Sequence, residues 1–113
     1  MPFIDSKLTV KLTEEKKEKI KRELGKAVSV LHKGETYLMV GFQEGYDLYL
    51  GGKKLGKGAY VEVSLFGSAS SSDYSKMTGE ICRILSEEAG IPADCVYVTY
   101  HGLKDWGWNG SNF

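Results

Sequence analysis

The chain has 113 residues, of which 15 are basic and 15 acidic, so its formal net charge is zero. This length predicts a single domain, residues 1–113, that can bury a core but often gains stability from oligomerisation. A neutral chain has no net field to attract nucleic acid or an anionic membrane. No apolar run approaches the roughly 20 residues of a membrane span, and no signal peptide is evident. We therefore expect a cytoplasmic protein, with release by a leaderless route left open.

The first segment predicts a strand followed by a helix. Residues 2–10 alternate between two faces, and a proline such as Pro2 is tolerated at the first position of a strand. Thr13 is expected to cap the helix. Its apolar positions recur at helical spacing: Ile20, Leu24, Ala27, Val28 and Leu31. We expect the helix to end at residues 32–34, with Gly34 in the left-handed cap conformation.

The charged side of this helix is interpreted as a solvated face and not as a nucleic-acid-binding surface. Opposite charges stand four residues apart, as in Glu15–Lys19 and Glu18–Arg22, and such pairs stabilise exposed helices.

The middle of the chain predicts two further strands, Tyr37–Phe42 and Ala59–Phe66, separated by a glycine-rich segment. We interpret residues 47–58 as turns and a short ribbon at Leu48–Leu50. A phosphate-binding loop is not expected, because no helix follows the glycines and no Gly-Lys-Ser/Thr motif is present.

A second helix and a last strand complete the pattern. Asp73 is expected to cap the helix, and Gly90 to end it before Ile91-Pro92. The apolar stripe of the helix is Met77, Ile81, Ile84, Leu85 and Ala89. Residues 95–101 alternate and predict the strand, and residues 106–113 combine aromatic and turn residues without a helical period.

The element order is therefore strand-helix-strand twice, which predicts an α/β (α+β) fold of two similar βαβ halves. The four strands are expected to form one mixed sheet with both helices on one face. The other face mixes charged residues with aromatic ones, which favours association with further copies of the chain.

Metal and thiol chemistry are not expected. His32 and His101 lie on separate elements, with no carboxylate or cysteine at ligand spacing, so no metal site is predicted. Cys82 and Cys95 form no Cys-x-x-Cys motif and are not expected to form a structural disulfide. No organic cofactor is implied.

Pro2 is a candidate for catalysis if Met1 is removed, because its nitrogen would then be a free secondary amine. An apolar wall and a nearby cation both disfavour the protonated form and lower the pKa of an amine. A base with a pKa near neutrality suits proton abstraction beside a carbonyl group. With Met1 attached, the Pro2 nitrogen is an amide and has no useful basicity.

Four features carry a resemblance to a known family: Pro2 before a strand, Lys33 after the first helix, Tyr97 on the last strand, and the 107–113 tail. With these features the chain resembles a macrophage migration inhibitory factor-type member of the tautomerase superfamily, and the resemblance covers its whole length. The resemblance implies a homotrimer with pockets at its subunit boundaries. It also implies keto–enol tautomerisation of phenylpyruvate-type and dopachrome-type substrates.

The resemblance assigns roles position by position. Pro2 matches the catalytic base, and Lys33 matches the residue that binds the substrate carboxylate. Phe66 stands where the family usually has an isoleucine whose backbone amide helps to hold the substrate. The neighbouring subunit would supply Tyr97, and Thr99 in place of an asparagine. The remaining aromatic residues would line the pocket or its mouth: Tyr37, Trp106, Trp108 and Phe113.

Several positions depart from the family pattern. Phe66 and Trp106 are larger than the usual residues, which implies a narrower pocket, and Thr99 is shorter than asparagine, which weakens contact with a phenolic hydroxyl. Residues 59–62 occupy the region in which some relatives carry a redox Cys-x-x-Cys, so an oxidoreductase is not expected.

Two functions remain open. One is an enzyme acting on small aromatic keto acids, and the other is a trimeric, cytokine-like signalling or interaction protein with a vestigial pocket and an unidentified receptor. On sequence alone, Lys33 also suits contact with the carbonyl groups of its helix end, and Tyr97 and the tail rings suit core or interface packing.

Overall fold

The computed structural model describes all 113 residues. The four longer strands are β1 (Pro2–Leu8), β2 (Met39–Gln43), β5 (Ala59–Phe66) and β6 (Val96–Leu103). Two short hairpins are formed by β3 (Tyr49–Leu50) with β4 (Lys53–Lys54), and by β7 (Gly107–Trp108) with β8 (Ser111–Asn112). The helices are α1 (Glu14–Ala27) and α2 (Ser71–Ala89), and 3₁₀ turns span Val28–Leu31, Glu35–Tyr37 and Ala93–Cys95.

The long strands form one mixed sheet in the order β2-β1-β5-β6. The two outer pairs, β1 with β2 and β5 with β6, are parallel, whereas the central pair of β1 and β5 is antiparallel. Parallel neighbours require a crossover, and here each crossover contains one helix. The predicted mixed sheet with two helices on one face is therefore confirmed.

The core lies between this sheet and the helices. Alternate residues of β1 and β5 face inward, so that Ile4 packs near Val63 and is fully buried. The predicted stripe of α1 is buried, and so are four of the five positions predicted for α2; Ala89 is half-buried. Neither helix is long and apolar enough to cross a bilayer.

The end of α1 differs from the prediction. The α-helix stops at Ala27 and tightens into a 3₁₀ turn, and the residue in the left-handed conformation is His32 (φ 60°), not Gly34 (φ −93°). The amides of His32 and Lys33 donate to the carbonyls of Ser29 (2.9 Å) and Val28 (3.4 Å). These bonds close the helix end two residues earlier than the glycine suggests.

The start of α2 also differs. Ser70 is the cap, because its hydroxyl accepts a hydrogen bond from the Asp73 amide at 3.1 Å, and Asp73 lies in the first turn. Gly90 ends the helix at φ 66°, as predicted. The second strand begins at Met39 and not at Tyr37, since Glu35–Tyr37 form a 3₁₀ turn.

The exposed side of α1 is solvated, but its ion pairs join residues three apart, as in Glu18–Lys21. The predicted pairs Glu15–Lys19 and Glu18–Arg22 do not form; Lys19 instead pairs with Glu88 of α2 at 3.4 Å.

The face of the sheet opposite the helices is mixed, as predicted. The Lys7 ammonium lies 2.6 Å from Glu62 and 3.5 Å from Asp5. Its hydrogen bond to Glu62 lowers the pKa of that carboxyl group. Large apolar side chains remain exposed beside these charges, including Met39 and Tyr97.

We expect Ile81→Ala to lower the free energy of unfolding by about 2–5 kcal/mol, because it removes three buried carbons and leaves a cavity. Ile81 is only 1% exposed and lies in the main core. The matched control is Lys76→Ala on the exposed side of the same helix, expected to change stability by less than about 0.5 kcal/mol. Urea unfolding measures both, and equal values would contradict this description of the core.

Candidate functional site

The N-terminal end of β1 is held by main-chain contacts. Pro2 is buried and pairs with Leu65 of β5, and the next residue of that strand, Phe66, donates its amide to the Met1 carbonyl at 3.0 Å. A proline is accepted here because the strand begins at this residue and needs no amide donor from it.

Lys33 binds the same residue, Phe66, through its carbonyl group. Its ammonium donates to the Phe66 carbonyl at 2.8 Å, in a half-buried position. The α-amino group of Met1 is close enough that burial, and then the charge of Lys33, lower its pKa. Met1, Lys33 and Phe66 therefore form one junction. At this junction the protonated form of the Met1 amine, next to Pro2 in the chain, is disfavoured.

A cavity of about 710 Å³ opens beside this junction. Its lining includes Pro2 and three of the predicted aromatic residues, Tyr37, Trp106 and Trp108. The other lining residues are Met1, Phe3, Thr36, Leu38, Met39, Ser64, Leu103, Asp105 and Gly107. Pro2 thus lies on the wall of a largely apolar cleft of the size that small-molecule sites occupy.

Stacked aromatic rings connect the cavity with the Lys33 junction. Trp108 meets Tyr37 edge-on at 5.4 Å between ring centroids and lies parallel to Phe113 at 6.2 Å. Phe113 in turn lies 5.6 Å from Phe66, whose carbonyl holds Lys33. Phe113 and Phe66 are therefore neighbours of the cleft, although they do not line it.

Tyr97 and Thr99 lie elsewhere in the chain. Tyr97 pairs with Tyr60, five residues along β5 from the partner of Pro2, which is about 17 Å at 3.3 Å per residue. It is 62% exposed and lines a separate apolar hollow of about 60 Å³. The Thr99 hydroxyl bonds that of Tyr60 at 3.0 Å. A single chain does not bring these two residues to Pro2.

Several residues near the site were not predicted from the sequence. Phe3 and Ser64 line the cavity because they pair across β1 and β5, a register that only the assembled sheet reveals. Asp105 is the one charged side chain in the lining. His32 precedes Lys33 in the chain, and its Nε2 lies 3.0 Å from Asp73 Oδ2. No group of three or more His, Cys, Asp and Glu residues is placed to hold a metal ion.

The chain is similar in sequence and in fold to known proteins. The family model for macrophage migration inhibitory factor matches residues 1–113. The chain belongs to that family. The curated factor from Xenopus tropicalis is 36% identical over 53 residues, and this match spans 45% of the chain and 44% of the frog protein's length.

Solved structures extend the likeness to the whole fold. The structure of Leishmania major MIF2 matches with a TM-score of 0.93 and 32% identity, covering 100% of this chain and 97% of that one. More distantly, the structure of Pt0534 inactivated by 2-oxo-3-pentynoate matches at a TM-score of 0.78 and 16% identity, covering 89% and 85%. The latter is a likeness of fold alone. The fold is the α+β fold of the tautomerase superfamily.

We expect Lys33→Ala to raise the pKa of the Met1 α-amino group, because the nearby positive charge disfavours its protonated form. The pKa stays below that of a free amine, since burial is the larger cause and is retained. An NMR pH titration of the Met1 Cα–Hα signal measures the change, with the exposed Lys76→Ala as control. An unchanged pKa in Lys33→Ala would show that this charge has no influence at the N-terminus.

Proposed function

We propose that the chain, once Met1 has been removed, is a keto–enol tautomerase for phenylpyruvate-type and dopachrome-type substrates, with Pro2 as the general base. The observation that carries the proposal is the burial of Pro2 on the wall of an apolar cleft that opens beside the junction of Met1, Lys33 and Phe66. Tautomerases of this superfamily are isomerases, which agrees with proton transfer and no net redox change.

The environment of Met1 supports Pro2 as the base. Burial and the Lys33 charge lower the pKa of the Met1 amine. Pro2 is itself buried and is the next residue, so we expect both causes to act on its nitrogen. A secondary amine is intrinsically basic, so the same causes bring the pKa of a freed Pro2 nitrogen down toward neutrality. A base poised there removes a proton beside a carbonyl efficiently, typically for a gain of about 10²–10⁴ in rate.

Lys33 is suited to bind the substrate carboxylate. Its ammonium has three N–H donors, and one of them donates to the Phe66 carbonyl. This bond fixes the direction of the ammonium group. The other two donors are free to form charge-assisted bonds with a carboxylate. The substrate's acid group is then anchored beside the base, which lowers the entropic cost of proton transfer.

The aromatic lining supports an aryl substrate. Tyr37, Trp106 and Trp108 present ring faces and edges to the cleft, against which a phenyl or indole-like group can pack. Pt0534, which shares the fold, is inactivated by 2-oxo-3-pentynoate, a 2-oxo acid, and this compound is therefore a suitable probe of Pro2 in this chain.

Completion of the site is proposed to require a second copy of the chain. Along the strand direction Tyr97 lies about 17 Å from Pro2, and Thr99 lies about 10 Å from it. Family members typically form oligomers, and Tyr97 and Met39 are more than half exposed in the single chain. We propose a homotrimer in which each cleft receives Tyr97 and Thr99 from its neighbour.

The experiment that tests the base uses a chain whose intact mass shows that Met1 is absent. We expect this chain to accelerate phenylpyruvate keto–enol exchange and Pro2→Gly to lose about 10²-fold or more of that rate, because glycine supplies a less basic, freely rotating amine. The matched control is the other proline, exposed Pro92, whose change to glycine leaves the rate unaltered.

Two results would count against this proposal. A rate for the mature wild-type chain no better than buffer would favour the non-enzymatic signalling module. Equal rates for Pro2→Gly and wild type would remove Pro2 from the reaction while leaving an enzyme. Adduct formation by 2-oxo-3-pentynoate, located by peptide mass spectrometry, shows independently whether Pro2 is the reactive group.

A mixing experiment tests the shared site. Pro2→Gly and Tyr97→Ala chains, each weakly active alone, are unfolded, combined and refolded together. If Tyr97 acts across a subunit boundary, each trimer that contains both variants has one site with both native residues. This is about one quarter of all sites in an equal mixture, and activity returns. Each variant refolded alone is the control, and sedimentation measures the trimer. Recovery no greater than in those controls would contradict shared sites.

A further inference from the structure

His32 occupies a conformation that costs a side chain energy. It is one of only two non-glycine residues with positive φ, the other being Asn109, and it ends the helix where glycine is usually found. L-residues other than glycine are sterically disfavoured there. Gly34, two residues later, does not use its freedom and is extended. The histidine therefore needs an interaction that offsets its backbone strain.

That interaction joins the two crossovers of the fold. His32 Nε2 lies 3.0 Å from Asp73 Oδ2 in the first turn of α2, although the residues are 41 positions apart. The Asp73 side chain is 21% exposed and the His32 side chain 77%, so the pair lies at the surface. Asp73 is itself fixed, because its amide donates to the Ser70 cap. The pair thus fastens the end of the first crossover to the start of the second.

Lys33 follows His32 directly, so its position is fixed at both ends. The ammonium is held by the Phe66 carbonyl at 2.8 Å, and the backbone by the helix-end bonds on either side of the His32 left-handed turn. A flexible lysine stem loses much of its conformational entropy when it binds a ligand, so a fixed starting point lowers the cost of binding. Nothing else in the chain anchors the His32 side chain.

We infer that His32 and Asp73 are positioning residues that hold Lys33 in place for the carboxylate of a 2-oxo acid substrate. The inference rests on the proposed function for the role of Lys33, but not for the contact itself. Neither residue touches the cleft, so both act through Lys33. Loss of the pair leaves the Lys33 charge in place but frees the Lys33 backbone. Substrate binding is then weaker, whereas the rate of the chemical step changes little.

The test compares kinetics and stability in three variants of the mature chain. Asp73→Ala and His32→Gly are each expected to raise KM for phenylpyruvate about two- to fivefold, the range of a single exposed ion pair, with kcat changing less. Lys33→Ala sets the upper limit of the KM increase. His32→Gly removes the left-handed strain, so its Tm equals or exceeds that of wild type. Reduced binding with undiminished stability separates positioning from general loosening of the fold.

Two controls sharpen the comparison. Glu80→Ala removes another α2 carboxylate, one paired with Arg83 at 2.8 Å and remote from Lys33, and leaves KM at its wild-type value. In the double variant of His32→Gly and Asp73→Ala, the KM increase should be no larger than in either single variant, because both changes break the same contact. Additive increases would show that the residues act separately and would overturn the inference.

A further readout does not depend on turnover. The Lys33 amide donates to Val28 at 3.4 Å, and its hydrogen exchange should accelerate in both single variants. Unchanged exchange, or unchanged KM in both variants while Lys33→Ala raises it, overturns the inference and leaves the proposed function intact. If the wild-type chain has no tautomerase activity, the proposed function fails, and faster exchange in both variants still supports the contact.

Discussion

The structure of the candidate site depends on the main chain of one residue, Phe66 at the end of β5. Its amide donates to the Met1 carbonyl and its carbonyl accepts from Lys33. Buried main-chain groups must be paired, and here the two pairs bring the N-terminus and the end of the first crossover to the same point. Because β1 and β5 are antiparallel, that point is also where Pro2 begins its strand.

The same topology explains why one chain does not bring Pro2 and Tyr97 together. β5 and β6 run parallel, so the start of β6, with Tyr97, lies beside the start of β5, whereas Pro2 lies beside its end. No adjustment of loops brings the two ends of a rigid sheet together. A site that uses both must therefore join two copies, and the exposed apolar side chains on the open face give those copies a surface to bury.

Periodicity predicted the fold closely because it records local burial. The bounds of β5 and the buried stripes of both helices follow from alternation and helical spacing, which need no knowledge of distant residues. Helix ends were less predictable. Gly34 was the local choice for the left-handed position, but His32 occupies it, with a partner 41 residues away in the sequence. Ser70 likewise displaces Asp73 as the cap, and no spacing rule indicates that Asp73 faces His32.

The charge distribution of the cleft favours one orientation and one class of ligand. The cation, Lys33, lies at the Phe66 junction outside the lining, whereas the single charged side chain within the lining is the carboxylate of Asp105. A ligand carboxylate is therefore attracted to the junction and repelled from the side of the cleft that carries Asp105, which is exposed. The remaining lining is mostly apolar and aromatic, so the other end of the ligand is best uncharged. A monocarboxylate with an aryl tail satisfies both conditions, and a dicarboxylate would bring its second charge toward Asp105.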